Sequence, residues 1–129
     1  MFFEEDDVTA LHLAFVLALL TAVGHSYLTE TTFLRPLRAE SVAGTVFAGD
    51  VPKRLATAMF HFPSLCWVGM AVSMLLLDPT SGGYRETLHI YAGIYAVSGV
   101  GNFWATGRPH PGGVLLLSAS ALTLAALYT

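Results

Sequence analysis

The sequence predicts an all-α protein, a four-helix transmembrane bundle of up-down-up-down topology with a long cytoplasmic loop between its first and second helices. Three observations predict it. Apolar residues make up 54% of the 129-residue chain and charged residues only 12%, whereas a soluble domain carries about 25% charged residues. The apolar residues are gathered into four long stretches, and the charges are crowded into the gaps between them. A water-soluble core of this size has no use for so much apolar surface, and the length allows one domain with no separate catalytic module.

A helix crossing about 30 Å of hydrocarbon needs roughly 20 apolar residues, which places the spans by length. The first runs over about 8–28. Its leader, Glu4, Glu5, Asp6 and Asp7, is acidic where a secretory signal is positive, and no small-residue cleavage site follows, so it reads as a retained helix. The second runs over about 55–77, opened by Pro52, which suits a first helical turn, and closed by the turn-forming run Asp78-Pro79-Thr80-Ser81-Gly82-Gly83. The third covers about 88–106 and the fourth about 112–128, short enough to stand nearly upright or to dip one end into the interface.

Lysine and arginine set the orientation, because short cytoplasmic loops retain them. Arg35, Arg38, Lys53 and Arg54 fall between spans one and two and Arg108 between three and four, leaving Arg85 on the opposite side. Both termini are therefore expected on the non-cytoplasmic face. Tyr27, Tyr84, Trp104 and Tyr128 lie near span ends, where amphipathic rings favour the headgroup zone. In the first loop Phe33, Leu34, Leu37, Val42, Val46 and Phe47 alternate with charged and small residues, the pattern either of a segment lying along the interface or of a loop packed back on the bundle. The formal charge of -3 comes largely from the acidic leader, so nucleic acid is not an expected partner. Cys66 is the single cysteine and reads as a small core residue.

Helices pack in lipid through small residues that let backbones approach. Ala14, Ala18, Ala22 and Ser26 recur every four residues in span one, and Ala92, Gly93, Ala96 and Gly99 cluster in span three, with Gly93 and Ala96 expected on its packed face. Gly69 with Ser73 and Ala121 with Ala125 are weaker versions on spans two and four.

The candidate chemistry lies in five histidines, since ionisable groups in a membrane usually face the bundle interior or a wet cavity. His25, His61 and His110 belong to the cytoplasmic half, His12 and His89 to the other. His25 falls close to the alanine stripe, and His61 precedes Pro63, whose ring frees a carbonyl one turn earlier. His110 sits between Pro109 and Pro111 near Asn102, and Glu30 and Arg35 lie just beyond His25, enough for a polar cluster. Imidazoles suit transition metals, and two on facing helices can hold a haem or chlorin ring, so His25, His61 and His110 are candidate metal or cofactor ligands. Hydrogen-bonded histidines that simply join helices are the competing explanation. For His12 and His89 that simpler role is preferred, with His89 expected against a neighbouring helix on the face it shares with Gly93 and Ala96.

No two histidines stand at i and i+4, and neither a His-Glu-x-x-His motif nor a glycine-rich phosphate loop is present, so no enzyme activity is expected. Transport is disfavoured too, as no span carries a charged residue for coupling. Gly24-His25-Ser26-Tyr27-Leu28-x-Glu30, Leu34-Arg35-Pro36-Leu37, His61-x-x-Ser64-Leu65-x-Trp67 and Gly107-Arg108-Pro109-His110-Pro111 together resemble a family of small, uncharacterised four-span bacterial membrane proteins. The resemblance implies a four-helix membrane fold, in a bacterial inner membrane, and no established activity. The expected function is that of a nonenzymatic accessory or structural subunit of a larger membrane complex, with lipid and other subunits or further copies of the chain as partners. The alternative is a protein whose histidines bind a metal, haem or chlorin.

Overall fold

A computed structural model describes residues 5–39 and 48–128, and all of the regular structure among them is helical. Helix α1 (Glu5–Thr29) passes into a π-helical turn (Glu30–Leu34) and a short α2 (Arg35–Ala39). Then come α3 (Asp50–Leu76), α4 (Tyr84–Thr106) and α5 (Pro111–Ala125). The chain is thus all-α, and the pairs across helices run antiparallel throughout. His25 meets Ser64 and Ser26 meets His61 between α1 and α3, Trp67 meets Ser98 and Ser73 meets Tyr91 between α3 and α4, and Ser120 reaches Ala92 between α5 and α4.

Two helical stretches, Thr9–Ala39 and Asp50–Leu76, are long and apolar enough to cross a membrane. Only 28% of the most apolar window in each is buried within the chain, unlike the core helix of a soluble protein. The other two expected spans are less apolar or shorter. Helix α4 carries Arg85, Glu86, His89 and Asn102, and α5, at 15 residues, extends about 22 Å against about 30 Å of hydrocarbon.

Local chemistry explains where the helices begin and end. Past Leu28 the chain stays helical to Ala39 rather than turning into a loop, and the backbone N–H of Arg35 bonds the carbonyl of Glu30, five residues back. That wider turn lies immediately before Pro36, which has no N–H to continue an ordinary α-ladder. The first half of the expected loop is therefore helix, with Leu34 fully buried; Val42, Val46 and Phe47 lie outside the described residues. Pro52 falls in the first turn of α3, where its missing N–H has no partner to lose. After Leu77 the carboxylate of Asp78 accepts from the backbone N–H and the hydroxyl of Thr80 at 2.8 and 2.7 Å. Those two hydrogen bonds, the side-chain one foremost, hold the Asp78 carboxyl below the usual carboxylate range. Helix α4 ends at Gly107, whose φ of 63° is the left-handed conformation that glycine adopts without strain. Helix α5 opens with His110 as its N-cap and Pro111 in its first turn.

The helices form a ring. Helix α1 packs against α3 on one side and α5 on the other, α5 packs along α4, and α4 closes onto α3 over a small patch. The core holds Ala14, Ala18 and Ala22 of α1, Trp67, Ala71 and Met74 of α3, Leu88 and Tyr95 of α4, and Leu116 and Ala119 of α5. Long side chains span the wider seam, with Tyr95 Oη donating to the Trp67 carbonyl and the Trp67 indole to Ser98 Oγ, each at 3.4 Å. The closest approach is between α4 and α5. A Cβ on Gly99 would lie 3.0 Å from the Gly113 carbonyl, and one on Gly113 would lie 2.9 Å from that of Gly99 and run into Phe103.

The small residues sort differently from expectation on two helices. On α1, Ala14, Ala18 and Ala22 are buried and Ser26 is half-buried beside His61. On α4, Gly93 is exposed and Ala96 only half-buried, because the packed face is Leu88, Ala92, Tyr95 and Gly99. Gly93 and Ala96 each follow a packed residue by one position, about 100° round the helix, so they are not that helix's packing stripe. Ala121 and Ala125 of α5 face outward for the same reason.

Candidate functional site

The polar groups of the helical ends on the His25 side form two adjoining features, a histidine–serine clasp between α1 and α3 and a cavity between α1, α4 and α5. In the clasp His25 Nδ1 pairs with Ser64 Oγ at 3.1 Å and His61 Nδ1 with Ser26 Oγ at 3.2 Å. The exchange is reciprocal, each helix giving one imidazole and one hydroxyl, with the tautomers deciding which partner donates. Ser64 is buried. The edge of the His25 ring meets Trp67 with centroids 5.2 Å apart and planes at 79°, an arrangement suited to the aromatic quadrupoles.

Glu30, at the start of the π-helical turn, caps the clasp. Its carboxylate accepts from Arg38, lies 3.6 Å from Arg35, and stands 3.8 Å from His61 Nε2. A serine, a histidine and an acid thus fall in sequence, Ser26–His61–Glu30. The last separation is too long for an orienting hydrogen bond, however, and the arginines already engage the carboxylate. What the arrangement does chemically is tie α1, the turn after it and the start of α3 into one polar unit. Arg38 extends the tie by donating to Thr57 Oγ1 at 3.4 Å.

The cavity has a volume of about 410 Å³ and is lined chiefly by apolar side chains, among them Leu20, Leu28, Phe33, Phe60 and Leu115. Phe33 and Phe60 stack with planes 6° apart. Its polar lining includes His25, Asn102 and His110. His110 Nδ1 accepts from the backbone N–H of Gly112 at 3.2 Å, so a neutral ring carries its proton on Nε2. Asn102 donates from Nδ2 to the Ser98 carbonyl at 3.0 Å, leaving its oxygen as an acceptor.

The three histidines expected as ligands are therefore divided. His25 and His110 share the cavity, while His61 is turned to Ser26 and Glu30 and does not line it. Among the described residues no three His, Cys, Asp or Glu side chains form a group able to hold a metal ion. The three-imidazole set is not gathered around one point, because His61 is turned to Ser26 and Glu30 and away from the cavity that His25 and His110 line. At the far end His89 Nδ1 donates to the Arg85 carbonyl at 2.7 Å and its Nε2 accepts from Tyr128 Oη at 3.0 Å. His89 is exposed rather than buried against a neighbour, and it fastens the end of the chain to α4, with the Arg85 guanidinium over the Tyr128 ring. Ser64, Ser26 and Arg38 were not singled out as partners from the sequence. The signal for the serines was present, since His-Ser on one helix and His-x-x-Ser on another face each other in reverse order when the two run antiparallel.

No family model, curated protein or solved structure matches the chain.

Proposed function

We propose that the chain is a nonenzymatic integral membrane protein whose helices α1, α3, α4 and α5 all cross the bilayer, and that it serves as an accessory subunit of a larger membrane complex. The observation that carries this reading is the outward surface. Leu13, Val16 and Val23 on α1, Leu65 and Leu76 on α3, and Ile90, Val97 and Val100 on α4 are all exposed, many large apolar side chains on the outside of three helices, which lipid accommodates better than water. With lipid as solvent, apolar side chains alone do not draw helices together, and small residues do. Gly93 and Gly101, exposed on either side of Val97, give the outer face of α4 the close-approach surface a neighbouring helix needs.

The positive charges of the α1–α3 connection and of the α4–α5 turn belong in the cytoplasm on this reading, with both termini opposite, as in a bacterial inner membrane. In the clasp Glu30 is engaged by arginine rather than orienting His61, and on this reading the clasp joins helices. The test is purification at native abundance in a mild detergent. The expected result is co-migration with other membrane subunits, lost in Gly93→Leu with helix content unchanged. A protein that migrates as a lone monomer at native abundance contradicts the subunit role.

A further inference from the structure

The geometry points to a second role for the cavity between α1, α4 and α5: we propose that it binds the ring of a lipid-dissolved quinone. Size comes first. About 150 Å³ of apolar cavity is enough for one benzene ring, so about 410 Å³ holds a substituted single or double ring. Charge comes second. None of the described lining residues is Asp, Glu, Lys or Arg, which selects a neutral ligand, since a carboxylate or phosphate would be buried without a counter-ion.

Polar pattern comes third. His25 has Nδ1 engaged by Ser64 and His110 has Nδ1 engaged by Gly112, which leaves Nε2 of each ring as its other polar atom. His110 Nε2 carries the proton of its neutral ring, and His25 Nε2 does so when the Ser64 hydroxyl donates to its Nδ1, so the two rings of one apolar chamber suit the carbonyl oxygens of a flat quinone ring. The Asn102 oxygen adds an acceptor for the hydroxyl of the reduced form. A sterol offers one hydroxyl to these three groups, and a fatty acid brings a charge. Access comes fourth. Leu20, Leu28 and Phe33 line the cavity and are also exposed on the outer surface, so a ring enters from the side with its apolar tail left among the lipids.

The entry route rests on the membrane placement proposed above, but binding is tested apart from it. The full chain in detergent micelles is titrated with a decyl-substituted benzoquinone, reading the fluorescence of the tryptophans, one of which, Trp67, lies against His25. Saturable quenching is expected, weakened about tenfold in His25→Phe and in His110→Asn for each hydrogen bond lost. Gly24→Phe is expected to abolish it, because a Cβ on Gly24 meets nothing within 4 Å and the added ring fills the cavity without moving the backbone. Circular dichroism confirms that each variant folds. Decylbenzene, which has the ring and tail without the carbonyls, is expected not to compete. Quenching that rises linearly without saturating, equal saturation in wild type and Gly24→Phe, or full competition by decylbenzene overturns the proposal. None of these outcomes bears on whether the helices cross a bilayer.

Discussion

At the scale of single residues, the clasp decides how α1 meets α3. Hydrogen bonds between membrane helices contribute about 0.6 kcal/mol on average and rarely more than about 1.7, so neither pair alone holds the fold. A double-mutant cycle on His25→Ala and Ser64→Ala, followed by detergent unfolding, is expected to give a coupling of about 0.6 kcal/mol. Zero coupling would show that the 3.1 Å contact is incidental. Asp78 gives a pH-dependent counterpart. Its folded carboxyl titrates below the ordinary value because Thr80 donates two hydrogen bonds to it. Its contribution is thus fully present above the ordinary aspartate value of about 3.9 and is lost as pH falls through the lower folded value. Asp78→Asn is expected to remove that part of the acid sensitivity of helix content, seen as a smaller difference between neutral and acid circular dichroism than in the wild type. Identical acid profiles for the two proteins contradict this.

At the scale of elements, the α4–α5 contact is the tightest joint and the least forgiving. Gly99 and Gly113 each lie where a Cβ would press on the other's carbonyl. Gly99→Ala and Gly113→Ala are therefore expected to destabilise the bundle by about 1–3 kcal/mol through overpacking, read as a lowered Tm in detergent. Gly69→Ala, at a site where a Cβ meets nothing within 4 Å, is expected to be neutral or to stabilise α3 slightly, since alanine is the better helix former. If all three variants melt alike, the close approach is not what glycine is there for. Two elements read differently in the sequence from their form in the structure. The helix after Leu28 runs on through a polar stretch, because Glu30 and the arginines stabilise one another along it and Leu34 is buried, features that an apolar-length rule does not register. On α4 small residues occupy both the packed and the outer face, so spacing alone could not tell Ala92 and Gly99 from Gly93 and Ala96.

At the scale of the whole molecule, the four long helices and their antiparallel order were legible because apolar length and turn residues report them directly, whereas the short α2 was not. Pro52, the Asp78–Gly83 turn, Gly107 and Pro111 punctuate the chain where the helices begin and end. The division of the histidines was not legible, since it depends on how far each helix is rotated when it packs. His25 faces the cavity and His61 the Glu30 carboxylate, a difference of packing rather than of spacing. Sequence placed Glu30 and Asn102 near the cluster and carries the His-Ser and His-x-x-Ser spacings, but which serine meets which imidazole follows from the antiparallel register of α1 and α3. The joint consequence is a bundle with a polar cluster inside one end, many large apolar side chains exposed along its helices, and its exposed charges gathered towards the helix ends and turns.

Side-specific labelling tests that picture most directly. In a Cys66→Ser background, single cysteines at Glu4→Cys, Ala48→Cys, Ser81→Cys, Arg108→Cys and Thr129→Cys are exposed to a membrane-impermeant maleimide before and after permeabilisation of intact cells. Four crossings predict that positions 4, 81 and 129 are labelled from outside, and that 48 and 108 are labelled only once the membrane is opened. Labelling of 48 and 81 from the same side, or of all five positions without permeabilisation, would contradict the account.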